Sequence, residues 1–220
     1  MAKRAGKFSI VARMTLARVM LALLAASLAT SLIVPAPALA QFSKSYKFLE
    51  AVRKKDGAVV EDALNAPGSQ IVNTRDSTSG ETALHIVTAR RDLTWMSYLI
   101  GKGANVNLHD GRGVTPLQTA VLLGFAEGVE LLVTQHARID EPNSEGETPL
   151  ISAVHRRDTG LMRVLLKAGA DPDRADNSGR SARDYALLNG PSNPLVSEIT
   201  NNAKPRGQHA GPQRSYGPTL

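Results

Sequence analysis

The stretch Gly113-Val114-Thr115-Pro116-Leu117 recurs as Gly146-Glu147-Thr148-Pro149-Leu150 and, loosened, as Gly80-Glu81-Thr82-Ala83-Leu84 and Gly179-Arg180-Ser181-Ala182-Arg183. Its hydroxyl residue falls at 82, 115, 148 and 181, each 33 positions after the last. A fixed period of that length means stacked copies of one supersecondary unit rather than a single layered core.

Local chemistry explains the repeat. Glycine supplies the positive φ of a tight turn, the Thr or Ser hydroxyl accepts a backbone N–H at a helix start, and Pro already has the φ of a first helical residue. Downstream, Leu117, Ala120 and Val121 continue one apolar face; Val129, Leu131, Leu132 and Val133 form a second, with Gly124 between them. Each period therefore reads as turn, helix, short turn, helix. The fold class expected is an all-α repeat solenoid of stacked helix-turn-helix units with short β-turn or hairpin tips.

The formal charge of +6 invites a nucleic-acid reading until the charge is located. Residues 1–40 carry Lys3, Arg4, Lys7, Arg13 and Arg18 without an acid, and residues 203–220 carry Lys204, Arg206 and Arg214 without an acid. Residues 41–202 are left with a net charge of −2. A phosphate-binding face needs clustered cations on the folded body, so no nucleic-acid partner is expected.

The basic start, the uncharged run Val19 to Val34, then Pro35, Pro37 and Ala38-Leu39-Ala40 have the three-part layout of a secretory signal peptide. Cleavage is expected after Ala40, leaving Gln41 first. Retained as an anchor, the apolar run would make a helix of only about 24 Å against a hydrocarbon core of about 30 Å. No stable membrane insertion is therefore expected after cleavage, a tethered form with the segment retained being the alternative. The chain has no cysteine, which excludes disulfides and suits an oxidising compartment. The long basic opening without a twin-arginine pair looks like a bacterial general-secretion signal, and the expected location is the periplasm.

Five copies follow, at about 42–79, 80–112, 113–145, 146–178 and 179–202. The first is worn. Phe48, Leu49, Ala51 and Val52 give one apolar face and Val59, Val60, Ala63 and Leu64 the other, but the glycine-threonine turn is missing, as expected of a terminal copy. The long join from Asn65 to Glu81 reads as turn and loop. In the second copy Asp92 is placed to cap the second helix, and Gly103 to end it in the left-handed conformation. His136 and Gly169 hold that position in the third and fourth copies, so His136 reads as a strained helix cap. In the last copy Tyr185, Ala186 and Leu187 belong to the first helix, and Pro194 behind Asn193 starts a second with the apolar pair Leu195 and Ile199. Residues 203–220 have few apolar side chains and are expected to be a disordered tail.

With these residues in view, the chain resembles the ankyrin-repeat family. The resemblance rests on Gly-x-Thr-Pro-Leu, on an alanine five after the Thr (Ala120, Ala153), and on Gly-Ala-Asn-Val-Asn at 103–107 with Gly-Ala-Asp-Pro-Asp at 169–173. It covers residues from about 45 to 202. The family's histidine after the Leu is kept as His85 and replaced by Gln118, Ile151 and Asp184, which is expected to weaken turn-to-turn hydrogen bonding without changing the fold.

Chemistry is mostly absent from the pattern. His85, His109, His136, His155 and His209 form no zinc spacing, and thiolate sites are excluded. Residues 171–176 mimic the start of a calcium loop, but Ala175 sits at a ligand position and Asp176 replaces the required glycine. No Gly-x-Ser-x-Gly elbow and no phosphate loop occurs. No cofactor or metal is expected and the chain is not read as an enzyme, a site of unknown chemistry between copies being the alternative.

What remains is a surface. The resemblance implies a concave groove lined by side chains just before each Thr and two turns into each first helix. These are Arg53 and Lys54; Ser79, Glu81 and Arg90; Arg112, Val114, Leu122 and Leu123; Glu145, Glu147, His155 and Arg156; Ser178 and Arg180. The central copy presents two leucines where its neighbours present Arg90 and Arg156, an apolar centre ringed by arginine of the kind that forms protein-binding hot spots. Arg90, Arg112, Leu122, Leu123, Glu145, His155 and Arg156 are the candidate binding residues, and an exported monomeric scaffold for an unidentified protein partner is the function expected. The runs Lys54-Lys55-Asp56, Arg90-Arg91-Asp92 and Arg156-Arg157-Asp158 also fit a structural role, since cations suit helix ends and acids helix starts.

Overall fold

The computed structural model describes residues 36–188 and 190–203. The chain divides into two compact units, Met1–Ser43 and Lys44–Leu220. Of the first unit the described backbone is that of residues 36–43, which is helical. The expected export segment up to Pro35 and the expected tail from Lys204 lie outside the described residues.

Ten α-helices occur among the described residues: α1 (Ala36–Lys54), α2 (Gly57–Asn65), α3 (Ala83–Ala89), α4 (Leu93–Gly101), α5 (Pro116–Leu123), α6 (Ala126–Thr134), α7 (Pro149–His155), α8 (Thr159–Ala168), α9 (Ala182–Leu187) and α10 (Pro194–Asn202). Their starts follow from the sequence. Thr115, Thr148 and Ser181 accept the N–H groups of Gln118, Ile151 and Asp184 at 3.2–3.3 Å, each worth about 1 kcal/mol. Asp56, Asp92 and Asp158 cap the second helices in the same way, and Asn193 caps α10 behind Pro194.

The copies stack helix on helix: α3, α5, α7 and α9 in one row and α4, α6, α8 and α10 in another. The 33-residue period becomes columns of core. Leu84, Leu117 and Leu150 form one, Val87, Ala120, Ala153 and Ala186 a second, and Met96, Val129, Met162 and Leu195 a third, all buried. Each large member contributes about 1.5–3 kcal/mol by leaving water. α10 buries Leu195 and Ile199 and turns Ser197, Thr200 and Asn201 to solvent, which is what a terminal copy requires.

Backbone strain repeats with the same period. Arg91, Gly124 and Arg157 sit at φ of 56°, 66° and 54° between the two helices of their copies, and Lys55 at 59° does the same in the first. At the second-helix ends Gly103, His136 and Gly169 are at 88°, 60° and 105°, so His136 is a strained cap as its register implied.

One expectation needs correction. Val59, assigned to an apolar face, is 45% exposed, no copy preceding the first among the described residues. The join from Asn65 to Glu81 is turn and loop, with Ile71–Asn73 forming a 3-10 turn that buries Val72. Leu187 lies in the first helix of the last copy and is exposed, no copy following the fifth among the described residues.

Candidate protein-binding groove

Each Gly-x-Thr stretch is the tip of a short hairpin closed by a side chain. Asp110 Oδ1 accepts the N–H groups of Arg112 and Val114, Asn143 Oδ1 those of Glu145 and Glu147, and Asp176 Oδ1 those of Ser178 and Arg180, at 2.8–3.1 Å. Asp76 plays this part in the second copy toward Thr78 and Ser79. The Arg53 guanidinium and these N–H groups hold the Asp76 carboxyl at about 2. Burial pushes Asp176 up, but the Ser178 and Tyr185 hydroxyls and two backbone N–H groups outweigh it, leaving about 2.

Tips stack through a backbone ladder. The N–H of Gly111 donates to the Ser79 carbonyl at 2.8 Å, that of Ser144 to Arg112 at 3.2 Å, and that of Asn177 to Glu145 at 3.2 Å. This approach explains the invariant glycine of the tip. A Cβ at Gly80, Gly113 or Gly146 would lie 2.5–2.9 Å from the backbone nitrogen of the next tip.

Side chains add to the ladder at one register. Buried His85 takes the Thr82 N–H on Nδ1 and, as the Nε2–H tautomer, donates to the Val114 carbonyl at 3.0 Å. Burial lowers its pKa. One period on, Gln118 Nε2 donates to the Glu147 carbonyl at 2.8 Å. The replacement of histidine by Gln118 therefore keeps the turn-to-turn bond that was expected to weaken, because both side chains end in an N–H at similar reach. The bond is lost only further on, where Ile151 has no donor and Asp184 closes a local cap with Ser181.

On the face formed by the tips and the ends of the first helices, the arginines are engaged across copies. Arg90, only 22% exposed in its side chain, donates from Nη1 to the Val52 carbonyl at 2.7 Å and stands 5.7 Å over the Trp95 ring. Arg156 Nη1 donates to the Leu122 carbonyl at 2.8 Å, and Arg91 donates to the Leu123 carbonyl. The third copy, which ends its first helix in Leu122-Leu123-Gly124, is thus held by an arginine from each neighbour. The Arg156 guanidinium lies where a Cβ on Gly124 would stand.

Beside these braces lies a hollow of about 190 Å³ between the second and third copies, lined by Glu81, His85, Ala89, Thr119, Leu122 and Leu123, with Arg112 and Val114 at the tip side. Leu122 is 44% exposed and Leu123 is half-buried against the core. Arg112 keeps its side chain 80% exposed while touching Asp110 at 3.2 Å. Burial pushes Asp110 up, but the Val114 and Arg112 N–H groups and the Arg112 guanidinium bring it below the ordinary carboxylate value.

Family models described as ankyrin repeats match residues 48–143 and 131–186, together more than half of the chain. The chain is an ankyrin-repeat protein. It is similar to Neurogenic locus notch homolog protein 1 of Danio rerio (37% identical over 123 residues, 54% of this chain and 5% of that protein). It is also similar to the human protein of the same name (34% over 131 residues, 59% and 5%) and to the ANK repeat-containing protein nipk-1 of Caenorhabditis elegans (30% over 160 residues, 66% and 25%). The chain spans between a twentieth and a quarter of these relatives' lengths.

Ankyrin repeats are generally protein-interaction scaffolds, and the candidate residues divide accordingly. Arg112, Leu122 and Leu123 come together at the hollow. Glu145 is exposed on the next tip. His155 is tied down, with Nδ1 2.6 Å from Glu147 and its ring edge-on to Tyr185 at 4.5 Å. Arg90 and Arg156 serve as braces, and Val114 is buried in its tip rather than presented. Sequence reasoning placed Glu81 in the groove but missed Ala89 and Thr119 as neighbours of Leu122. Their signal was position, Ala89 lying one period before Leu122 and Thr119 one turn before it. Among the described residues no three His, Asp or Glu are grouped to hold a metal ion, and no helix is long and apolar enough to cross a membrane.

Proposed function

We propose that this chain is an exported ankyrin-repeat scaffold that holds a protein partner, in the bacterial periplasm, against the face made by its tips and first helices. The observation that carries the binding surface is the hollow at Leu122, where an exposed leucine and apolar floor lie beside the exposed side chain of Arg112, held by Asp110, and the Glu81 carboxylate. Apolar surface beside an arginine is the composition of binding hot spots. Export is supported by the basic, apolar, Ala-x-Ala layout of residues 1–40 and by the absence of cysteine.

The decisive experiment is cross-linking in living cells with Leu122→Ser and Arg112→Glu. Each is expected to reduce the captured partner at least tenfold while the purified variant melts within a few degrees of the parent. An unchanged capture, or loss only in step with unfolding, overturns the assignment. Leu123 is unsuitable for this test because its half-buried side chain also packs the core. N-terminal sequencing of the mature protein is expected to begin at Gln41; a start within the first residues would make the chain a tethered scaffold instead.

A further inference from the structure

The hollow between the second and third copies has a filled counterpart two periods on. Glu81, Ala89, Asp110 and Thr119 correspond to Glu147, His155, Asp176 and Tyr185, each 66 residues later. In the later set Glu147 Oε1 accepts from His155 Nδ1 at 2.6 Å, the imidazole packs edge-on against Tyr185 at 4.5 Å, and the Tyr185 hydroxyl donates to Asp176 at 2.7 Å. Two rings thus stand at the registers where the wall of the hollow has only Ala89 and Thr119. Alanine and threonine are too short to fill what histidine and tyrosine fill.

Alanine in place of histidine also leaves a carboxylate without its partner. Half-buried Glu81 forms no ion pair among the described residues, and its carboxylate accepts only the Ser79 hydroxyl there, on Oε2 at 3.1 Å. The other acid of the wall is already served, since Asp110 holds the Arg112 guanidinium and the N–H groups of Arg112 and Val114. The missing group is therefore a cationic N–H donor facing Glu81 Oε1. Ala89, Leu122 and Leu123 offer its carrier an apolar floor. At about 190 Å³ the hollow is smaller than the roughly 300–1,000 Å³ of small-molecule pockets, which suits one side chain. Lysine meets both demands: its four-carbon stem lies along apolar surface, and its ammonium is a compact charge. Arginine's fork calls for two oxygens, and Ser79 already engages one of them.

We propose that the hollow at Leu122 receives a lysine side chain of the protein partner, its stem on Ala89, Leu122 and Leu123 and its ammonium on Glu81 Oε1. This rests on the reading of that hollow as the binding surface. The probe is Nα-acetyl-lysine methylamide, titrated into the full chain while the methyl NMR signals of Leu122 and Leu123 are followed. It is expected to bind at least fivefold tighter than the norleucine, arginine and histidine analogues. Glu81→Gln is expected to reduce lysine to the level of norleucine. Ala89→His copies the Glu147–His155 pair at an exposed position and is expected to abolish the lysine shifts. Norleucine equal to lysine, arginine or histidine tighter than lysine, or lysine binding unaltered in either variant overturns the proposal. Cross-linking in living cells separates the two readings, Glu81→Gln being expected to reduce capture at least fivefold. Capture lost in Leu122→Ser but kept in Glu81→Gln leaves the binding surface standing and overturns the lysine. Capture unchanged in both overturns the surface, and the lysine with it.

Discussion

The junction between the third and fourth copies and the junction between the fourth and fifth share a backbone ladder bond of 3.2 Å but differ in the side chain beside it. At the first, Gln118 bridges to the Glu147 carbonyl; at the second, Ile151 occupies the same register, fully buried and without a donor. The carbonyls explain the difference. Glu147 and Arg180 each already accept one N–H within their own hairpin, from Asn143 and Asp176. The second lone pair at half-buried Glu147 needs a protein donor, whereas exposed Arg180 can give its own to water. The side-chain bridge is thus required only where the following tip is shielded, and the backbone ladder sets the register everywhere.

The largest expected effect tests the apolar half of this contrast. Ile151→Ala removes a fully buried side chain between two copies and is expected to cost about 3 kcal/mol in urea unfolding. A loss below about 1 kcal/mol would mean the junction collapses around the gap and that Ile151 is not what joins the copies there. Gln118→Leu tests the polar half. It keeps most of the volume but leaves the Glu147 carbonyl one donor short, for an expected loss of about 1–2 kcal/mol. Equal stability of variant and parent would show that water reaches Glu147 as it reaches Arg180.

The junction between the second and third copies makes the bridge with a titratable group, which adds a pH dependence the others lack. Burial depresses the pKa of His85 below its ordinary value of 6.5, against the milder upward pull of the Val114 carbonyl, Asp110 and Glu81. The unfolded chain therefore binds this proton more readily than the folded one. Stability from His85 is complete above pH 6.5 and is lost as pH falls below it toward the folded pKa. His85→Gln copies the bridge found at Gln118 and is expected to stay within about 1 kcal/mol of the parent at pH 7.5. Between pH 6.5 and 5 the melting temperature of the parent should fall more steeply than that of the variant. Parallel curves would mean that folding does not lower the His85 pKa, because water reaches the ring. Asp76 and Asp176, at about 2, do not interfere, because their contributions are lost only below pH 4.

These contrasts also show what could be read before the structure. The period, the caps at Thr115, Thr148, Ser181, Asp92 and Asn193, the strained His136 and the core columns depend on residue type at a fixed register, and a repeat makes register visible. The groove was legible only in part. Arg90, Arg112 and Arg156 are the same residue type at positions facing the same way, yet two of them turn to backbone carbonyls of another copy and one stays exposed. The acceptors, Val52 and Leu122, are backbone atoms at those registers, so no side-chain pattern announces them. Gln118 was misjudged for the opposite reason: the bond depends on an N–H at a given reach, and residue identity hid that equivalence. Val59 departed from its register because exposure at the end of the described stack depends on a neighbour that the described residues do not supply.

The smallest expected effect joins the two junctions in one substitution. Ile151→Gln places the bridging amide of Gln118 where the fourth copy meets the fifth, with the Arg180 carbonyl one register on as its acceptor. The new bond is expected to return about 1 kcal/mol, while the apolar area withdrawn from the core costs about 1–2 kcal/mol. The net change should therefore lie within about 1 kcal/mol of the parent in urea unfolding. A gain would mean that Arg180 is poorly served by water and that the last junction is under-bonded. A loss above about 2 kcal/mol would mean that the pocket around Ile151 cannot take a polar group, and that the two junctions differ in shape as well as in the exposure of their carbonyls.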